Sequence, residues 1–253
     1  MISLENKVAL ITGGSRGIGA SCVELFVEAG AGVAFTYKSN KAAADELIGR
    51  LDKEGSRPLR AYSMDMESEK DIHEKVRQVI SDFGRIDILV NNAGIWKYGA
   101  ADEMSLKDWE ETISINLTGT FIITKAVIPE MKKNGFGRII NISSTAGQRG
   151  EAFHSHYAAS KGALISYTKS LASELARFNI TTNCVAPGWV ITDLSQEVFS
   201  DKKYKESVEQ DIPVGRIADP VDIAGPVVFL ASGLARHING EILNVNGGSI
   251  LCG

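Results

Sequence analysis

The stretch Thr12-Gly13-Gly14-Ser15-Arg16-Gly17-Ile18-Gly19 constrains this chain more than any other. It follows the apolar run Val8-Ala9-Leu10-Ile11, which reads as a short buried strand. Cys22, Val23, Leu25, Phe26 and Ala29 come next at helical spacing, and Gly30 closes that pattern. The glycines therefore sit on a strand-to-helix turn. Without side chains the backbone turns tightly and a pyrophosphate can approach. Free amides at the positive end of a helix then suit its charge. Gly13, Ser15, Arg16, Gly17, Ile18 and Gly19 are the expected cradle of a dinucleotide cofactor.

The same alternation continues along the chain. Gly32 to Thr36, Leu59 to Ser63, Ile86 to Val90, Ile139 to Ile142, Ile180 to Val185 and Ile242 to Val245 read as further strands. Helical patterns lie between them: Lys41 to Lys53, a run opened by Ser68 and Asp71 as a capping box, and a long one through Ile122, Ile123, Ala126, Val127 and Met131. Regular β-α alternation implies an α/β fold, a parallel sheet with helices on both faces. Right-handed crossovers favour the doubly wound Rossmann order, with about seven strands in a single domain spanning 1–253. Thr192 to Asp211 resists assignment and is expected to be a mobile segment that shapes the substrate pocket.

Composition excludes several classes. A net charge of -4 gives no basic surplus for nucleic acid, and no apolar run approaches a membrane span. The N-terminus has no signal-peptide core. Cys22, Cys184 and Cys252 are far apart and odd in number, which suits reduced thiols in a cytoplasmic protein and neither a disulfide framework nor a zinc site. His154 and His156 lack a carboxylate or cysteine partner at ligand spacing, so no metal is expected; they are read as lining the substrate mouth or facing solvent. Trp96 touches substrate or packs.

In a doubly wound sheet the ligand lies outside the carboxyl ends of the strands. Those ends read Thr12-Gly13, Asp65, Asn91-Asn92-Ala93-Gly94, Ser143-Ser144 and Pro187-Gly188. An NAD enzyme usually carries an acidic residue at the end of the second strand. Here Tyr37 holds that place, Lys38 follows, and no Asp or Glu occurs from Ala31 to Ala44. Lys38 and Arg16 suit a 2′-phosphate, so NADP is expected, with NAD the alternative. Asp65, with Met66 beside it, is expected to accept from the adenine amino group. The alternatives are a solvated surface role for Lys38 and a capping or turn role for Asp65.

These residues resemble the short-chain dehydrogenase/reductase family over nearly the full length. Thr12 to Gly19 matches its T-G-x-x-x-G-x-G, Asn91 to Gly94 its N-N-A-G, and Tyr157-Ala158-Ala159-Ser160-Lys161 its Y-x-x-x-K. Ser144 lies thirteen residues before Tyr157, and Asn116 falls where the family's catalytic asparagine does. The resemblance implies that Asn116, Ser144, Tyr157 and Lys161 are catalytic. It makes Asn92, Ala93, Gly94, Tyr157 and Lys161 cofactor residues. Pro187, Gly188, Val190 and Thr192 would belong to the segment closing over the nicotinamide. Asn116 would hold a water that resupplies the proton. Tyr157 and Lys161 are four apart on a predicted helix, so an ammonium would lower the phenol's pKa and make Tyr157 a proton donor or acceptor.

The resemblance is nearest to 3-oxoacyl-(acyl-carrier-protein) reductases. It implies hydride transfer between NADP(H) and a ketone or secondary alcohol, with a 3-oxoacyl thioester as leading substrate. A sugar, polyol or cyclic alcohol is the enzymatic alternative. A catalytically idle dinucleotide-binding sensor or scaffold is the alternative of another class, disfavoured because a sensor needs only the glycine loop. The family's habit further implies a homotetramer built on the helices around Leu117 to Lys133 and Ser155 to Phe178 and on the last strand, with Ile250-Leu251-Cys252 as a buried tail.

Overall fold

The apolar runs become strands of one sheet, and the amphipathic patterns between them become its cover. The computed structural model describes residues 2–52 and 58–251. In chain order the elements are β1 (Val8–Ile11), α1 (Gly17–Glu28), β2 (Gly32–Tyr37), α2 (Lys41–Leu51), β3 (Leu59–Ser63), α3 (Glu69–Phe83), β4 (Ile88–Asn91), α4 (Leu106–Ile113), α5 (Gly119–Asn134), β5 (Gly137–Ile142), α6 (Thr145–Arg149), α7 (Ser155–Leu175), β6 (Ile180–Pro187), α8 (Asp193–Gln196), α9 (Lys202–Asp211), α10 (Pro220–Ala231) and β7 (Ile242–Val245). The sheet order is β3-β2-β1-β4-β5-β6-β7 and every pairing is parallel, so the expected doubly wound order is the one found. Lys53 and Cys252, included in the expected second helix and buried tail, lie outside the described residues.

Alternation along each strand sorts the core into two layers. Ala9, Ile11, Val33, Phe35, Ile88 and Val90 face α1 and α10, packing on Cys22, Val23, Phe26, Ile223 and Val227. Leu10, Ala34, Leu89 and Ile139 face the other way, onto Ile72, Val76 and Val79 of α3 and Ile123, Val127 and Met131 of α5. Both faces are dry, so these strands read as near-continuous apolar runs.

Three local expectations are corrected. Ser68 does cap α3 by accepting from the Asp71 amide at 3.2 Å, but the Asp71 carboxylate accepts from the Asp65 amide at 2.7 Å, so the capping box is half formed. Residues 192–211 are helical, in α8, a 3-10 turn Val198–Ser200, and α9. Finally, Leu106–Asn134 is one continuous helical run, long and apolar enough by length and composition to cross a membrane. Its apolar stripe, Ile122, Ile123, Val127 and Met131, is nevertheless buried in the sheet's own core.

A polar chain crosses that core beneath the strand ends. The Asn91 amide donates to Thr124 Oγ1 at 3.0 Å and to Asn141 Oδ1 at 2.8 Å, and the Asn141 amide donates to Thr168 Oγ1 at 2.9 Å. All four residues are buried, so β4, β5, α5 and α7 are tied by bonds that water cannot replace. Asn141→Ala removes two of these bonds and opens a void. It should cost about 2–3 kcal/mol and lower Tm by roughly 4–10 °C. Scanning calorimetry of the cofactor-free protein checks this, and a drop under about 2 °C would show that the chain contributes little to stability.

Candidate active site

Strand β1 ends at Ile11, and the turn that follows is locked from beneath. Thr12 Oγ1 accepts from the Asn92 and Ala93 amides, each at 3.0 Å, and the Asn92 side chain donates to the carbonyls of Thr12 (2.9 Å) and Gly13 (3.1 Å). Gly13 has φ +65, a left-handed backbone that favours glycine. At Gly19 a Cβ would lie 2.1 Å from the Gly13 carbonyl oxygen, so the turn closes only without one. Arg16 is the N-cap of α1 and supplies no side-chain cap, which leaves the first amides of the helix open towards the cleft. An uncapped helix start on a glycine turn fits a pyrophosphate.

That turn is one wall of a cleft of about 400 Å³ along the carboxyl ends of the strands. Every residue expected to bind cofactor lines it except Gly19: Gly13, Ser15, Arg16, Gly17, Ile18, Lys38, Asp65, Met66, Asn92, Ala93, Gly94, Tyr157, Lys161, Pro187, Gly188, Val190 and Thr192. Gly19 lies behind that wall and serves its closure.

Ser144, Tyr157 and Lys161 line the same cleft. Ser144 ends β5's extension and caps α6, its hydroxyl accepting from the Ala146 amide at 3.0 Å. It also stands near enough to the Tyr157 hydroxyl to favour the ionised phenol. Lys161, one turn further along α7, is buried, and its ammonium donates to the Ile142 carbonyl at 2.7 Å. Ser143 Oγ donates to the Lys161 carbonyl at 2.7 Å, which fixes α7 against β5. Asn116 sits beneath this group in a π-helical turn, Ser114–Thr118, that the sequence pattern did not reveal. Its carboxamide accepts from the Ile95 amide (2.8 Å) and donates to the Ile95 carbonyl (2.9 Å) and Ser160 Oγ (3.1 Å). Those bonds hold the loop after β4.

The end of the cleft beside Lys38 corrects a sequence expectation. Lys38 has no acidic neighbour in sequence, yet its ammonium lies 3.0 Å from Asp65 Oδ1 and 2.8 Å from Glu67 Oε2. Both carboxylates arrive from the end of β3, which pairs with β2 in parallel register. Arg16 likewise faces Asp193 at 3.3 Å, across from α8. The two cations at this end are thus both met by acids.

Around Trp96 and Trp189 the cleft is aromatic. Trp96 stacks on His154 with centroids 4.3 Å apart and meets Trp189 edge-on at 5.9 Å. Trp189 continues to Phe199 and Tyr204. Trp96 both packs and lines the cleft, beside Trp189, Arg149, Glu151 and Leu194, none of the last four singled out from sequence. His156 does not face the mouth or solvent as expected: it is completely buried, and neither ring nitrogen has a partner among the described residues. Among the described residues no cluster of ligating side chains could hold a metal ion.

The family model described as enoyl-(acyl carrier protein) reductase matches residues 13–249. The 3-oxoacyl-[acyl-carrier-protein] reductase of Aquifex aeolicus is 41% identical over 252 residues, 98% of each chain. That of Vibrio harveyi is 42% identical over 249 residues, again 98% of each. The chain belongs to the short-chain dehydrogenase/reductase family. Among solved structures, a protein from Beutenbergia cavernae assigned as an NAD(P)-dependent gluconate 5-dehydrogenase, with NADP bound at low occupancy, superimposes with TM-score 0.90 at 33% identity over 98% of each chain.

In this short-chain dehydrogenase/reductase, burial sets the charges. It pushes the Tyr157 hydroxyl up to about 12, against the opposing pull of the nearby Ser144 hydroxyl. It pushes Lys161 down to about 8. The expected lowering of the tyrosine by the lysine is therefore not met in the protein alone. The ammonium points at the Ile142 carbonyl, lies 5.7 Å from the tyrosine ring centroid, and does not outweigh desolvation.

The lysine shift has a consequence for stability. The unfolded chain holds the Lys161 proton up to its ordinary pKa near 10.5, whereas the folded chain releases it near 8. Between those values the unfolded state binds more protons, so stability rises with pH. Relative to Lys161→Met, the wild type should gain roughly 3 kcal/mol between pH 8 and 10.5. Urea unfolding of both proteins across that range measures the gap. A constant gap would mean that Lys161 is not destabilised as an ammonium.

Proposed function

We propose that this short-chain dehydrogenase/reductase interconverts the ketone of a 3-oxoacyl thioester and its secondary alcohol, with NADP(H) as hydride carrier. The observation that carries the reading is the Ser144–Tyr157–Lys161 group on the wall of a cleft whose other wall is the glycine turn. The bound nicotinamide supplies or takes the hydride. The names of the Aquifex and Vibrio relatives, and the NADP in the Beutenbergia structure, favour this substrate class and cofactor. An idle dinucleotide sensor would have no use for a buried ammonium one helical turn from a cleft-lining phenol.

The chain's own residues would divide the work as follows. Tyr157 stays protonated at neutral pH, because burial favours the neutral phenol, and so presents an O–H to the carbonyl oxygen. Ser144 supplies a second donor to that oxygen and fixes its position. Lys161, held by the Ile142 carbonyl, keeps donors free for ribose hydroxyls and brings positive charge near the phenol as it gives up its proton. Asn116 holds the loop that carries Ile95, and the proton-resupplying water would sit beside it.

The same reading takes residues 1–253 as one cofactor-binding and catalytic domain, acting in the cytoplasm with no nucleic-acid or membrane partner. It assembles as a homotetramer. Leu106, Trp109 and Phe121 are exposed along α4 and α5, which favours burial of that side against a second copy. Light scattering at micromolar concentration checks the assembly, and a monomer would count against it.

The decisive assay follows reduced-nicotinamide absorbance with a 3-oxoacyl thioester beside sugar, polyol and cyclic ketones. Tyr157→Phe should lower kcat by about 10²–10⁴-fold and leave NADPH binding within about twofold, since only the transferable proton is lost. Near-wild-type turnover in that variant would remove Tyr157 from the chemistry. Turnover of sugar ketones with none of the thioester would overturn the substrate assignment.

A further inference from the structure

We propose that Glu67 sets the cofactor preference from outside the cleft: with Asp65 it ties up the Lys38 ammonium and so weakens selection for NADPH over NADH. The inference rests on the dinucleotide reading of the cleft and concerns its adenine end.

The geometry begins with the register. Tyr37 pairs with Ser63, so the chain leaving β2 at Lys38 runs beside the chain leaving β3. The Glu67 amide donates to Asp65 Oδ1 at 3.1 Å, which curls residues 65–67 until both carboxylates face one ammonium. Asp71 adds a third carboxylate nearby, accepting from the Asp65 amide at 2.7 Å. Lys38 and Asp65 line the cleft and Glu67 does not, so Glu67 acts through Lys38 as a positioning residue. One ammonium against two carboxylates leaves the group net negative. A 2′-phosphate arriving there must compete for Lys38 and is repelled by what holds it. A ribose 2′-hydroxyl carries no charge and meets no such repulsion. Arg16 offers little relief, because Asp193 already faces it.

Glu67 is exposed, so the loss of its charge should not disturb folding. Glu67→Gln keeps the shape and deletes the charge. Calorimetric titration of the full-length protein with NADPH, NADH, adenosine 2′,5′-bisphosphate and AMP reads the effect without turnover. Glu67→Gln should tighten NADPH and the bisphosphate about 3–10-fold and shift NADH and AMP less than about twofold. The gain should shrink at about 0.5 M salt, where such pairs are screened. Glu67→Asp, which retains the charge, should stay within about twofold of wild type. Lys38→Ala should erase most of the gain, because the carboxylate works through the ammonium. An unchanged NADPH to NADH ratio, an equal shift for both, or weaker NADPH binding would overturn the proposal. Failure of the wild type to bind any of the four probes would overturn the dinucleotide reading beneath it.

Discussion

A parallel sheet covered on both faces has only the ends of its strands to offer to polar chemistry. Here the strand positions that meet a helix layer are mostly apolar, and the buried polar ones include the Asn91–Asn141 chain that ties the layers. Parallel register brings the carboxyl ends of β1, β4, β5 and β6 to one line. The pairings Ile11↔Val90, Asn91↔Asn141 and Asn141↔Cys184 place the following residues side by side. Thr12, Asn92, Ser144 and Gly188 therefore leave the sheet along one edge although far apart in sequence. The site is a consequence of register, and a slip of one residue in any of these pairings would send its side chains to the opposite face.

That line of strand ends also concentrates cost. Lys161 is held as a buried cation by a single carbonyl, and burial alone accounts for its fall to about 8. Tyr157 is pushed the opposite way by the same desolvation. Two titratable groups one turn apart, each destabilised in its charged form, are a liability in an apolar core and an asset where a proton must move. The surrounding bonds (Ser143 to the Lys161 carbonyl, Asn116 to Ile95 and Ser160) make the arrangement rigid enough to bear it.

Much of this was legible in the sequence because it rests on local rules. A glycine turn between a strand and a helix, small or polar residues after each apolar run, and a tyrosine and lysine one helical turn apart are all patterns of spacing. What escaped was set by distance through space. The carboxylates on Lys38 come from β3, and no scan of the residues around Lys38 could find them. His156 sits beside Tyr157 in the chain, yet helix periodicity turns it inward to complete burial. The π turn holding Asn116 interrupts an otherwise helical pattern and carries no sequence mark of its own.

The two ends of the cleft differ in kind for the same reason. The glycine-turn end is built from backbone amides and glycines whose geometry admits few alternatives: a Cβ at Gly19 would collide with the Gly13 carbonyl, so that wall has one shape. The aromatic end is a laminate of rings from three separate segments, Trp96 after β4, His154 before α7, and Trp189 after β6. Phe153 is forced to φ +63 beside it, and its carbonyl accepts from the Gly99 amide at 2.7 Å, which stitches two of the segments together. Ring contacts are weakly directional and tolerate many exchanges of residue. The cleft therefore joins a wall of one shape to a half that can be repacked without disturbing the fold.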